Sequence, residues 1–238
     1  LLVQGGIFTD DPTALSNAEN GDRNSSYGVD GRIVFAPRIG STQLHFGVSG
    51  HRRDLNSMTD AGVRYRQRPF LHTSNLRFMD TGSFAASKES HYGLELAAVR
   101  KRWHVAGETH WLTADRVGGV DPTFFGGYAE VGYYLTPGDS RAYKDGIFDR
   151  SSPKNPVDKG GIGSIQLTLR YDYLDMEDAG IRGGKQNGYI AGLVWSPINY
   201  LRFNLNYAHL DYEDAVILAN GDGNYGVDAV GLRMELDY

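Results

Sequence analysis

The sequence holds no cysteine, which excludes a disulfide framework and a thiol-ligated metal centre. It has no apolar run near the roughly 18 residues that a transmembrane helix requires. That absence leaves strands as a route through a membrane, because a barrel strand needs apolar residues only at alternate positions. Helix signals are scarce: no segment sustains apolar residues at i, i+3, i+4 and i+7 between caps. Net charge is -5, which argues against wholesale nucleic-acid binding. There is no initiator methionine and no signal segment. The chain opens inside an apolar stretch, Leu1-Leu2-Val3, so its start reads as processed, truncated or incompletely covered. Gly126-Gly127 is not followed by a phosphate-loop pattern, and no Ser/His/Asp nucleophile motif is visible. The residues point to no enzyme and imply no cofactor.

What is abundant is glycine and aromatics, 31 Gly, 15 Tyr and 10 Phe, at a mean hydropathy of -0.42. That profile suits one large all-β domain, soluble or membrane-embedded. Period-two alternation runs through much of the chain. Ile165, Leu167, Leu169, Tyr171 and Tyr173 interleave with Ser164, Gln166, Thr168, Arg170 and Asp172. Leu201 to Ala208 and Leu232 to Tyr238 alternate in the same way. Successive side chains on a strand point to opposite faces, so each segment has one apolar and one polar face. The segments reach about the 9 to 11 residues of a tilted membrane strand. Many apolar faces also end in an aromatic (Trp103, Tyr133, Trp195, Tyr207), as interfacial girdles would.

Ten such strands are expected, starting near Leu1, Ser26, Gln43, Tyr92, Trp103, Thr123, Gly163, Gln186, Leu201 and Val227. Their connections alternate in length. Pro37 to Ser41, Lys101-Arg102 and Pro197 to Asn199 are short; Thr9 to Ser25, Arg52 to His91, Asp115 to Pro122, Met176 to Lys185 and Asp211 to Gly226 read as long and polar. Outer-membrane barrels pair short periplasmic turns with long extracellular loops, and one parity fits all ten strands. Thr136 to Gly161 is the exception, long where a periplasmic turn belongs. Parity also places Val63 to Arg68 inside the loop spanning residues 52–91 rather than in an eleventh strand. The fold class expected is therefore all-β: one antiparallel transmembrane β-barrel domain over residues 1–238.

Several spaced motifs resemble the phosphate-selective porin O/P family. They are Gly127-Tyr128-Ala129-Glu130-Val131-Gly132-Tyr133-Tyr134-Leu135-Thr136, then Ser140-Arg141-Ala142-Tyr143-Lys144, Gly146-Ile147-Phe148-Asp149-Arg150 and Pro153-Lys154-Asn155. Val63-Arg64-Tyr65-Arg66-Gln67-Arg68-Pro69, Asp80-Thr81-Gly82 and the closing Asp228 to Tyr238 complete the set. The resemblance covers essentially the whole chain and corresponds to the C-terminal, larger portion of a family member. It implies a sixteen-stranded trimeric porin of the bacterial outer membrane, with six strands before Leu1, in contact with outer-membrane lipid and lipopolysaccharide and conducting small anions. The family's constriction arginines come from its N-terminal part and have no counterpart here.

Arg64, Arg66 and Arg68 are the sharpest chemical feature. Period two puts the three guanidiniums on one face of an extended segment, roughly 6.5 to 7 Å apart. An anion moving along such a row would find planar forks of donors. The resemblance implies the same, since the family's corresponding row lies on an inward-folded loop. The plainer alternatives are a solvated basic loop, or pairing with Asp54, Asp60 and Asp80. Arg52, Arg53 and Arg77 are possible extensions of the row. In the connection over residues 136–161, Arg141, Lys144, Arg150, Lys154 and Lys159 face Asp139, Asp145, Asp149 and Asp158, suiting either a lumen lining or a salt-bridged plug. His104, Glu108 and His110 share a strand face, but their spacing sets the ends too far apart for one ion, so no metal is expected. Asn24-Ser25-Ser26 matches a glycosylation sequon, a pattern common by chance. Tyr238 ends a strand whose terminal aromatic resembles a barrel-assembly signal.

Overall fold

The computed structural model describes residues 1–9, 27–55, 62–71 and 74–237. The link after Thr9, the sequon, Asp60 and Tyr238 lie outside the described residues. In chain order the strands are β1 (Leu2–Thr9), β2 (Tyr27–Phe35), β3 (Arg38–Ile39), β4 (Thr42–Asp54), β5 (Arg66–Gln67), β6 (Met79–Asp80), β7 (Ala86–Arg100) and β8 (Trp103–Arg116). They continue as β9 (Thr123–Tyr134), β10 (Ala142–Lys144), β11 (Ile147–Asp149), β12 (Ser164–Asp178), β13 (Ile181–Ile198), β14 (Leu201–Glu213) and β15 (Tyr225–Leu236). Ten of these are long. They form one antiparallel sheet in which spatial order follows chain order, β1-β2-β4-β7-β8-β9-β12-β13-β14-β15. The described residues are nearly all β, with one 3-10 turn among them at Val157–Lys159.

Register converts the alternation into two faces. Leu167 stands opposite Leu193 and Tyr133, Leu205 opposite Leu193 and Leu232, and Phe46 opposite Leu96 and Phe35. These side chains share one face and lie open; Leu169 is 62% and Leu232 77% exposed. A contiguous apolar face of this extent would be untenable in water and suits the hydrocarbon of a membrane. The opposite face carries Gln166, Thr168, Arg170, Glu130, His104 and Glu95. Gly132 stands opposite His104 there because an added Cβ would lie 1.8 Å from the imidazole.

The sheet is open among the described residues: β1 and β15 are its two edges and do not pair. The connection between β9 and β12 nevertheless brings the edges near one another. A Cβ at Gly146 would stand 3.1 Å from Leu2, the first residue of β1, and Arg150 forms an ion pair with Asp237 beyond β15. Arg150 is four positions after Gly146, at most about 14 Å of extended chain.

Two connections differ from expectation. Met176 to Lys185 is not a long link: β12 and β13 run on to a two-residue turn at Ala179-Gly180, with φ values of 50° and 79°. Positive φ at both positions is the geometry that matches the twist of paired strands. Its usual Asn-Gly or Asp-Gly signature is missing here. The 52–91 loop is also shorter than expected, since β4 continues to Asp54 and β7 starts at Ala86.

The segment over residues 62–85 packs onto the polar face. Phe78 and the fully buried Met79 sit against Ala208, Leu210 and Tyr212. Burying one such side chain contributes about 1.5–3 kcal/mol. Gly183 makes the approach possible, because a Cβ there would stand 3.1 Å from the Thr81 methyl and 2.6 Å from the Met176 carbonyl oxygen.

Candidate functional site

The arginine row lies on a short hairpin within the 62–85 segment. Val63 bridges to Phe84, Arg66 pairs with Asp80, and Thr81 N donates to Tyr65 O at 2.9 Å. Alternation then sorts the side chains. Tyr65 turns toward the sheet, with ring centroids 6.0 Å from Phe84 and 5.6 Å from Phe124. Its hydroxyl donates to Glu89 at 2.7 Å. Burial first, and then this bond, pushes the phenol well above its ordinary range. Arg64 and Arg66 project the other way and are exposed.

The three arginines do not act alike. Arg64 forks onto Asp80, its Nε donating to Oδ1 at 2.7 Å and its Nη2 to Oδ2. Asp80 is buried and also accepts from Gly82 N at 2.9 Å. The bond from Arg64 holds the Asp80 carboxyl below its usual range, outweighing the opposing effect of burial. Of the alternatives open from the sequence, pairing with Asp80 holds for Arg64, which anchors the hairpin. Arg66 has no carboxylate within ion-pair distance among the described residues. Arg77 belongs with it. Loss of water, and then the like charges of Arg68 and Arg66, lowers the Arg77 guanidinium below its ordinary value. Arg66, Arg68 and Arg77 thus lie near enough to feel one another's charge, with the Asp80 carboxylate also acting on Arg66 and Arg77.

The remaining candidates scatter. Arg53 lies on the polar face, 3.5 Å from Glu89. Arg52 is a correction: with β4 extending to Asp54, parity puts it on the face of Phe46 and Val48, where it meets Ser90 Oγ at 3.4 Å. Arg141 stacks 5.1 Å over the Phe148 ring, Lys144 is exposed on β10, and Arg150 is drawn to Asp237. His104, Glu108 and His110 do not converge on one point. His104 Nε2 is 3.2 Å from Glu130, and Glu108 lies 3.4 Å from His110 and accepts from the Tyr128 hydroxyl at 2.7 Å.

The sequence matches the family described as phosphate-selective porin O and P over residues 2–238. The chain belongs to that family. It is also 54% identical over 241 residues to an uncharacterized protein of Caulobacter vibrioides, an alignment that takes in 100% of this chain and 49% of the relative. The chain thus spans about half the length of the relative it matches. Porins are channels rather than catalysts, and the polar face of this family member fits that role.

Most charges on the porin's polar face are engaged with one another, which sequence reasoning missed. Arg32 Nε donates to Glu95 Oε1 at 2.7 Å, and His45 lies 3.0 Å from Glu95 and 2.6 Å from the Tyr143 hydroxyl. Arg170 forks onto Asp172 at 2.7 and 2.8 Å and lies 3.5 Å over the Tyr128 ring. Arg170 and Asp172 sit two apart on one strand, a signal legible in the sequence. The Arg32–Glu95–His45 set spans three strands and becomes visible only with the register.

Proposed function

We propose that this porin is a passive outer-membrane channel that prefers small anions, phosphate and related oxyanions above all. The observation that carries the proposal is the Arg66–Arg68–Arg77 cluster, held on a hairpin whose other face is fastened to the polar side of the sheet. The chain is net acidic, so its average field repels anions. Selectivity must then come from locally arranged positive charge. Arginine suits the task because its planar fork matches oxyanion geometry. In the same proposal the hairpin belongs to an extracellular loop folded inward, and the short turns lie in the periplasm. The apolar face meets lipid and lipopolysaccharide, and the porin assembles as a homotrimer. Planar-bilayer recording tests it: a steady chloride current blocked by inorganic phosphate is expected, and a cation-selective current would contradict it.

A second reading, a barrel plugged without a selective channel, draws support from the apolar docking of Phe78 and Met79. It would give no steady current in the same experiment.

A further inference from the structure

His45, His51, His91, His104 and His110 all project from the polar face, on β4, β7 and β8. Four of them meet a carboxylate: His45 with Glu95, His51 with Asp30, His104 with Glu130 and His110 with Glu108. His91 has neither an ion-pair nor a hydrogen-bond partner among the described residues. Its neighbour is another imidazole: the rings of His91 and His110 lie with centroids 5.1 Å apart.

Gly93, two positions after His91 on β7, lets His110 lean across from β8. A Cβ at Gly93 would stand 2.9 Å from His110 Nδ1. That nitrogen is buried and has no hydrogen-bond partner among the described residues. His110 Nε2 lies 3.4 Å from Glu108 Oε2. A carboxylate there holds the ring proton on Nε2 and leaves the Nδ1 lone pair turned toward β7. An orphaned lone pair is costly when buried and suits a cation, whereas an anion would be repelled. Glu108 and Glu89 add negative charge on either side, and Arg53, 3.5 Å from Glu89, offsets part of it.

We propose that His91 and His110 clamp one divalent transition-metal ion of the copper, nickel or zinc class, which imidazole suits. Two imidazole nitrogens at about 2.0–2.1 Å from one ion, set at a tetrahedral angle, bring ring centroids roughly 5 Å apart, close to the spacing observed. No three histidine or acidic side chains converge on one point among the described residues, so water completes the coordination. His91 turns its ring to aim a nitrogen at the ion, and no hydrogen bond among the described residues resists that turn. The clamp does not rest on the channel proposed above, since only the polar face and its register carry it.

The test is titration of Cu2+ into the intact protein folded in detergent near neutral pH, followed by calorimetry and electron paramagnetic resonance. The parent should take up Cu2+ with two imidazole nitrogens in its hyperfine pattern. His91→Ala and His110→Ala should each weaken that binding by about tenfold or more and leave at most one nitrogen. Glu108→Gln keeps both imidazoles and should weaken it by about tenfold; it decides the matter if an alanine variant does not fold. His51→Ala should leave binding unchanged, because Asp30 engages that ring outside the clamp. A parent spectrum without two-nitrogen coordination, affinity unchanged in both His91→Ala and His110→Ala, or an equal loss in His51→Ala overturns the clamp. Bilayer current judges the channel separately, and neither result decides the other.

Discussion

Arg64 and Arg66 are two residues apart and similarly exposed, yet they have different partners. Arg64 is bound to a buried carboxylate and Arg66 is not, so their substitutions should separate. Arg66→Ala combined with Arg68→Ala and Arg77→Ala should lower the anion-to-cation permeability ratio and leave the fold intact, since surface changes stay within about 0.5 kcal/mol. The loss should shrink at high salt, because screening acts over about 3 Å at 1 M against about 10 Å at 0.1 M. An unchanged ratio at low salt would remove the cluster from selectivity. Arg64→Ala should instead free the hairpin, read as faster proteolysis between residues 62 and 85.

The same anchor has a pH signature. The folded-state pKa of Asp80 is lowered, so its contribution is fully present above the unfolded value of about 3.9 and is lost as pH falls through the depressed value. Hairpin protection from an acid-stable protease should hold at pH 5 and fail toward pH 3. Asp80→Asn should already be loose at pH 5, and a variant as protected as the parent would contradict the anchor. The arginine row itself was legible from spacing. Its division into anchor and cluster was not, because that depends on which guanidinium the fold brings to Asp80.

At the scale of elements, the strands announced themselves wherever one face is apolar. All ten long strands follow from alternation, and the hairpin was rightly kept out of their number. The errors lie at the ends of strands. Ala86 to His91 has no apolar face, so no alternation marks the stretch where β7 pairs with β4 from Lys88 onward. Ile181 to Lys185 is hidden by Gly183 and Gly184, which read as a loop; Gly183 leaves room for Thr81 of the docked hairpin, and Gly184 lies against the Glu213 and Asp214 carbonyls. Docking itself is an element-level event that no local pattern encodes. Met79 carries much of it, and Met79→Ala should cost about 2–5 kcal/mol of packing. The expected outcome is a noisier single-channel current with more frequent substates; a quiet current identical to the parent's would mean the hairpin is held elsewhere.

The whole molecule poses a problem that its parts do not. An open sheet edge presents unpaired N–H and C=O groups, which hydrocarbon does not tolerate. The edges at β1 and β15 must therefore be paired in a membrane. This chain covers 49% of its Caulobacter relative. In the intact protein in detergent, the amides of β1 and β15 should be as protected from hydrogen exchange as those of β12. Rapid exchange at either edge would contradict a closed barrel. What pairs with the two edges is beyond what alternation encodes, since a strand's own sequence specifies its faces but not its partner beyond the chain.

Under the proposed function, a net acidic chain favours anions through a few placed arginines. The reversal potential of the intact porin in a planar bilayer, under a potassium chloride gradient at low ionic strength, measures this most directly. The potential should have the sign of chloride preference and move toward that of potassium when Arg66, Arg68 and Arg77 are replaced together. A parent potential of potassium sign, or one unmoved by the triple replacement, would contradict the account.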